Sequence, residues 1–169
     1  MTAKKRNKPY RPREVRLNIM ATLFEGDQPL PADQRTTILL AVRGAVAALV
    51  RGTSTRDDWH TIVNALNTSQ VLCESAGNRH IGLAVIHAAQ NAMIEVGERC
   101  KRTGKLGISG DGLRILNDGI ELYEQLLETV TKRQHAAAIH EADRRIRAGN
   151  VVRLKKEGTR RLEFAGLAA

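Results

Sequence analysis

The side chains best able to do chemistry in this 169-residue chain gather in a few short stretches. His80 and His87 lie seven residues apart in a helix-patterned segment, nearly superposed on one face, with Asn91 and Glu95 farther along roughly that side. Seven residues cover about 10 Å of helix axis, too far for both imidazoles to reach one ion. A helix-borne metal site needs ligands at i and i+3 or i+4, usually from two helices. His135, His140 and Glu141 form a second group, H-A-A-A-I-H-E. Its five-residue step sends the rings to different sides of a helix, unlike H-E-x-x-H, where a four-residue step aligns them. A third stretch, GKLGISGDG at 104–112, has the glycine content of a phosphate loop. It lacks the G-K-[ST] ending, follows no recognisable strand, and sets Asp111 where an incoming phosphate would be repelled. It reads as a loop followed by a helix cap, and Ser109 has no local histidine to act as a base. No metal, cofactor or catalytic residue is therefore expected, although a composite site built from distant residues would be invisible at this level.

The ends of the chain carry a stronger signal. Residues 1–17 hold seven basic side chains against one acid, and residues 144–169 hold eight against two. The 126 residues between them hold twelve basic and fifteen acidic groups, so the net charge of +9 comes entirely from the ends. In KKRNKPYRPREVR, Pro9 and Pro12 forbid a continuous helix. Lys4, Lys5, Arg6, Lys8, Arg11 and Arg13 would then be strung along an extended arm able to follow a phosphate backbone, releasing counterions as each phosphate is neutralised. Tyr10 can stack on a base or pack into a protein groove. At the other end Arg144, Arg145, Arg147, Arg153, Lys155, Lys156, Arg160 and Arg161 are equally dense. The alternative is a solubilising, solvated charge run, since most such runs do no more than that. No helix-turn-helix, zinc finger or RNP motif points to sequence-specific readout.

The opening KKRNKPYRPR resembles the N-terminus of small uncharacterised proteins of proteobacterial phages, prophages and plasmids, and RTGKLGISGDG is similar to a segment preceding their last helix. The resemblance covers about 20 of the 169 residues. It implies a mobile-element setting; it implies no activity and transfers no functional residue.

The rest of the sequence must position these ends. Aromatic residues are only 3% of a chain that is 42% hydrophobic, so the core has to be built from Leu, Ile, Val, Ala and Met, as packed helices allow. The length suits one domain. The lack of a long uncharged apolar run argues against a membrane span, and the basic start is not followed by the apolar region of a secretory signal. Cys73 and Cys100, with no ligand spacing, read as reduced thiols of a cytoplasmic protein, a disulfide being the minor alternative.

Val15, Leu17, Ile19, Met20, Leu23 and Phe24 introduce apolar character in a piece that could be a strand or a helix, and GDQPLP at 26–31 reads as a loop. A first helix is expected from Asp33, as cap, to Gly52, with Ile38, Val42, Ala45, Val46 and Leu49 on one face. A second follows Ser54 or Thr55, with Trp59, Ile62, Val63, Leu66 and Cys73, and breaks at Ser75–Asn78. A third carries Ile81, Val85, Ala88, Ala92 and Val96 and ends near Arg102. The fourth, capped by Ser109 or Asp111, is expected to be the longest, running through Leu113, Leu116, Ile120, Tyr123, Leu127 and Val130, then less regularly through Ala138, Ala142 and Ile146 to Gly149.

The expected architecture is thus mainly α: an up-and-down bundle of about four helices at 18–148, a basic arm at 1–17, and at 149–169 a basic tail or small hairpin. The expected function is non-enzymatic, an accessory protein contacting nucleic acid, DNA or RNA, or a nucleic-acid-bound assembly. Two alternatives remain open. One is a protein-interaction module regulating a host complex through a KPYRP docking peptide; the other is an enzyme with a composite site.

Overall fold

Helix boundaries in this protein follow its backbone chemistry closely. The computed structural model describes residues 26–75 and 79–149 and contains five helices: α1 (Ala32–Arg51), α2 (Arg56–Ser75), α3 (Arg79–Thr103), α4 (Gly110–Thr129) and α5 (Lys132–Arg147). The expected arm at 1–17, the apolar piece that follows it through Phe24, and all but Gly149 of the expected tail at 149–169 lie outside the described residues.

α1 starts directly after Pro31 with no side-chain cap; Asp33, expected to be the cap, sits in the first turn instead, where a carboxylate meets the positive end of the helix dipole. It stops at Gly52, whose φ of 71° is left-handed, while Thr53 N–H donates to Ala48 O at 3.0 Å. α2 opens on a reciprocal cap. Thr55 N–H donates to Asp58 Oδ2 at 2.7 Å, and Asp58 N–H donates back to Thr55 Oγ1 at 3.3 Å. Those backbone and side-chain bonds from Thr55 hold the Asp58 carboxyl below its ordinary range. At α4, Ser109 is the cap, accepting from Gly112 N–H at 3.1 Å, so 104–109 is a loop leading to a cap, as expected.

The main departure from expectation comes after Thr129. Val130 is extended, with ψ 151°, and Thr131 forms a capping box with Gln134: Thr131 accepts from Gln134 N–H at 3.2 Å, and the Gln134 side chain accepts from Thr131 N–H at 2.9 Å. The single long fourth helix is therefore two helices, and the longest is α3, with 25 residues. The break is held open by the 26–31 loop. Leu30 N–H donates to Val130 O at 3.2 Å, Lys132 N–H to Gln28 O at 3.0 Å and Arg133 N–H to Gly26 O at 2.9 Å. The backbone groups that a continuous helix would have paired internally are thus satisfied by the loop.

α2 is the hub of the fold, packing against each of the other four helices. Its Ile62, Leu66 and Ser69 are fully buried among Leu49 of α1, Ile86 and Met93 of α3, and Leu116 and Leu127 of α4. The core stripe of α3 is Ile86, Ala89, Ala92, Met93 and Val96, rotated from the expected one, which included the exposed Ala88. Gly119 lets α4 approach closely: a Cβ there would lie 2.6 Å from Ala89 Cβ and 3.3 Å from a Leu66 methyl. Cys73 is a buried free thiol and Cys100 a half-buried one. Among the described residues, no helix is long and apolar enough to cross a membrane.

Candidate functional site

α5 carries the three expected contact residues that lie among the described residues, Arg144, Arg145 and Arg147. The chain preceding Gly26 joins beside the first turn of α5, because Gly26 O accepts from Arg133 N–H. The chain following Gly149 departs from the other end, where Gly149 takes a φ of 80° and donates to Ile146 O at 3.1 Å. Gly26 and Gly149, the first and last described residues, thus lie beside opposite ends of one helix of 16 residues, about 24 Å long. α5 is itself cationic, with five basic residues against Glu141 and Asp143.

Its last turn is fastened by ion pairs. Arg145 donates to both Glu74 oxygens at 3.1 and 2.6 Å and, through Nε, to Glu141 at 2.8 Å. Arg144 grips Glu141 with two bonds of 2.6 and 2.8 Å, and Arg147 pairs with Asp143 at 2.6 Å. The Arg144 and Arg145 hydrogen bonds hold the Glu141 carboxyl down at about 2; Glu141 in turn raises the Arg144 guanidinium, and Glu74 first, then Glu141, raises that of Arg145. Burial pushes the Glu74 carboxyl up, but hydrogen bonds from Arg145 and Gln70, with the charges of Arg145 and His87, bring it below its ordinary value. The network continues away from α5. Gln70 donates to Glu74 at 2.9 Å, and Gln90 donates to Gln70 at 2.9 Å and to Asn67 at 3.1 Å, linking α5, α2 and α3 by polar contacts.

Beside α5 runs an open groove of about 490 Å³ between α1, α2 and α5. Ile38, Val42, Ala65 and Ala142 line it, and Ile139 and Ile146 stand on its α5 edge, 46% and 41% exposed. Tyr123 and His135, which also line the groove, are buried and hydrogen-bonded through the phenol oxygen and Nε2 at 3.3 Å. Burial raises the Tyr123 phenol to about 12 and lowers the His135 imidazole. Both shifts favour the neutral forms of this buried pair. The nearby hydroxyls are also occupied: Thr61 donates to Asp57 O and Thr68 to Asn64 O, each at 2.9 Å.

Of the expected contact residues, Arg144, Arg145 and Arg147 are described, and all three are paired with carboxylates. Arg144 and Arg147 remain largely exposed; Arg145 is 31% exposed and turned toward α2. Lys4, Lys5, Arg6, Lys8, Tyr10, Arg11, Arg13, Arg153, Lys155, Lys156, Arg160 and Arg161 lie outside the described residues. His135 is buried whereas His140 is exposed, so the two do not converge, and among the described residues no cluster of three His, Cys, Asp or Glu could hold a metal ion. Sequence reasoning missed the groove and the Glu74–Arg145 pair. The residues of that pair are 71 apart, and only the tertiary fold joins them. The α4–α5 break did have a local signal, T-K-R-Q at 131–134, which is a capping-box pattern.

No protein-family model, curated protein or solved structure matches the chain.

Proposed function

We propose that this chain is a non-enzymatic accessory protein of a phage or other mobile element that contacts nucleic acid, or an assembly already bound to it, through its basic ends. The observation that carries the reading is the charge distribution. Fifteen of the 27 basic residues fall in 1–17 and 144–169, with only three acids among them, while the region between is slightly acidic. The largely exposed guanidinium groups of Arg144 and Arg147 in the last turn of α5 support it further.

In this reading the residues of the arm and tail make the phosphate contacts. Arg144 and Arg147 add to them by exchanging a carboxylate for a phosphate, and Arg145 positions α5. Deleting residues 1–13 tests it. Binding to labelled DNA or RNA weakens while the thermal melt hardly changes, and Tyr10→Ala weakens single-strand binding more than duplex binding. Unchanged nucleic-acid affinity after the deletion, together with loss of a protein partner on Tyr10, Pro9 or Pro12 substitution, would instead establish the KPYRP segment as a docking peptide.

A further inference from the structure

α1 is nearly free of charge on both of its sides. Its inner side, Val42, Ala45, Val46 and Leu49, is buried, and the helix packs there on α2 and α4. From Thr36 to Val50 the only charged side chain is Arg43, which pairs with Glu124 of α4. The outer side, with Thr37, Leu40, Ala41 and Gly44, is therefore uncharged and yet exposed, in a chain of which 27% is charged. A helix that is apolar all round belongs in an interior. Leu40, at 66%, is the most exposed large hydrophobic side chain among the described residues. We propose that the outer side of α1 and the groove beside it form the interface of a symmetric dimer, in which Leu40 of each copy enters the groove of the other.

The order of residues around α1 carries the proposal. At about 100° per residue, Leu40 projects on one side of a strip made by Thr37, Ala41 and Gly44, while Ile38 and Val42 lead into the groove on the other side. Ridge, strip and groove thus lie next to one another on one surface. A two-fold axis through the strip places each ridge in the opposite groove, which is the self-complementarity that an isologous contact requires. An unrelated partner would call for the groove but not for the ridge. Gly44 fits the same picture. A Cβ added there would meet no atom within 4 Å, so packing inside the protomer does not demand a glycine. Glycine inside a helix is less favourable than alanine, and a second helix crossing closely at this point gives it a purpose.

Size and charge agree with a second copy. Helices pack about 8–10 Å apart, so a surface spanning α1, the groove and the α5 edge with Ile139 and Ile146 is about 25 Å wide. With α5 and α1 about 24 and 30 Å long, the face covers on the order of 600–750 Å². A standard interface takes roughly 800 Å² from each partner. Apart from the neutral His135, the only titratable groups lining the groove are Tyr123 and Asp143, and Asp143 is paired with Arg147. Two copies of net charge +9 can therefore meet on this face without bringing their cations together.

The test is sedimentation equilibrium of the full-length protein, freed of nucleic acid by nuclease and high salt, over a range of concentrations. A dimer gives twice the chain mass of 18.6 kDa. Leu40→Glu and Gly44→Gln should each raise the dissociation constant by about tenfold or more while the helical circular dichroism signal stays unchanged. Val50→Glu is the control. Val50 is 55% exposed on the same helix but lies beyond the strip, on the side of Arg43, so its substitution should leave the dimer intact. A monomer even at millimolar concentration would overturn the proposal, leaving the groove open or covered from within the chain. A dimer that survives Leu40→Glu but is lost in Val50→Glu would also overturn it, by placing the contact on another face.

Discussion

α4 and α5 are consecutive in sequence and separated by two residues, yet they are held in the fold by opposite means. α4 buries Leu116, Ile120, Tyr123 and Leu127 and comes close enough to α3 that position 119 has no room for a methyl group. α5 buries only His135, Ala138 and Ala142, and is secured by a capping box, backbone bonds to the 26–30 loop and the Glu74–Arg145–Glu141 network. Apolar packing has no charge to titrate or screen, whereas the Glu74–Arg145–Glu141 network of α5 responds to both pH and salt. The helix that carries Arg144, Arg145 and Arg147 is thus the one of the two better able to respond to ionic conditions.

Substitutions that strike the first region should be the most damaging. Leu116 is completely buried, so Leu116→Asp places an unpaired charge in the core at a cost of several kcal/mol, about 4–5, and abolishes cooperative unfolding in a denaturant titration. Gly119→Ala is the milder probe. The new Cβ must push α3 and α4 apart, with an expected destabilisation of about 1–3 kcal/mol in the same assay.

Substitutions in the second region should act locally. Arg145→Met keeps the aliphatic stem but strips Glu74 and Glu141 of a partner. Because Arg145 and Glu74 are each about 30% exposed, the expected cost of losing their pair is at most about 1 kcal/mol. Native-state hydrogen exchange should show reduced protection on α5 amides while those of α1–α4 stay protected; an equal reduction throughout would mean that α5 is not a separable unit. Thr131→Ala removes the cap and should cost about 1 kcal/mol, again confined to α5.

The pH response separates the two attachments. His135 is held neutral by burial, so below about pH 6.5 the unfolded chain binds a proton that the folded chain resists, and stability falls as pH drops through that value. His135→Gln should remove this step, as read from melting midpoints across the range. Glu74 and Glu141 act lower. Their carboxyls are depressed, so the stability they lend is complete above about pH 4.5 and is lost as pH falls through their folded-state values, about 2 for Glu141. That second step should persist in His135→Gln and shrink in Arg145→Met.

Much of this fold is legible in the sequence, because its signals are local. Gly52 stops α1, Thr55 opens α2, Ser109 opens α4, and the stripes of α1 and α4 mark faces that do become buried. The α3 stripe is harder to read, since alanines occur on both its buried and exposed sides, and only tertiary contact separates Ala89 from Ala88. The α4–α5 break competes with an apolar period that runs on past Val130, and the 26–31 loop tips the balance through bonds spanning about a hundred residues. The candidate site is legible as a charge pattern at the ends. That Arg145 serves the fold follows from Glu74 on a different helix, which spacing along the chain cannot reveal.

The central claim is that the basic ends contact phosphates, and the most direct measurement is binding of the intact protein to labelled DNA and RNA across a salt series. The account predicts tight binding at low salt and a linear fall of log affinity with log salt. Deleting residues 1–13 should make that slope shallower by about 0.7–0.9 for each phosphate that the shortened chain no longer neutralises. No binding of the intact protein at low salt, where so cationic a pair of ends is least screened, would contradict it.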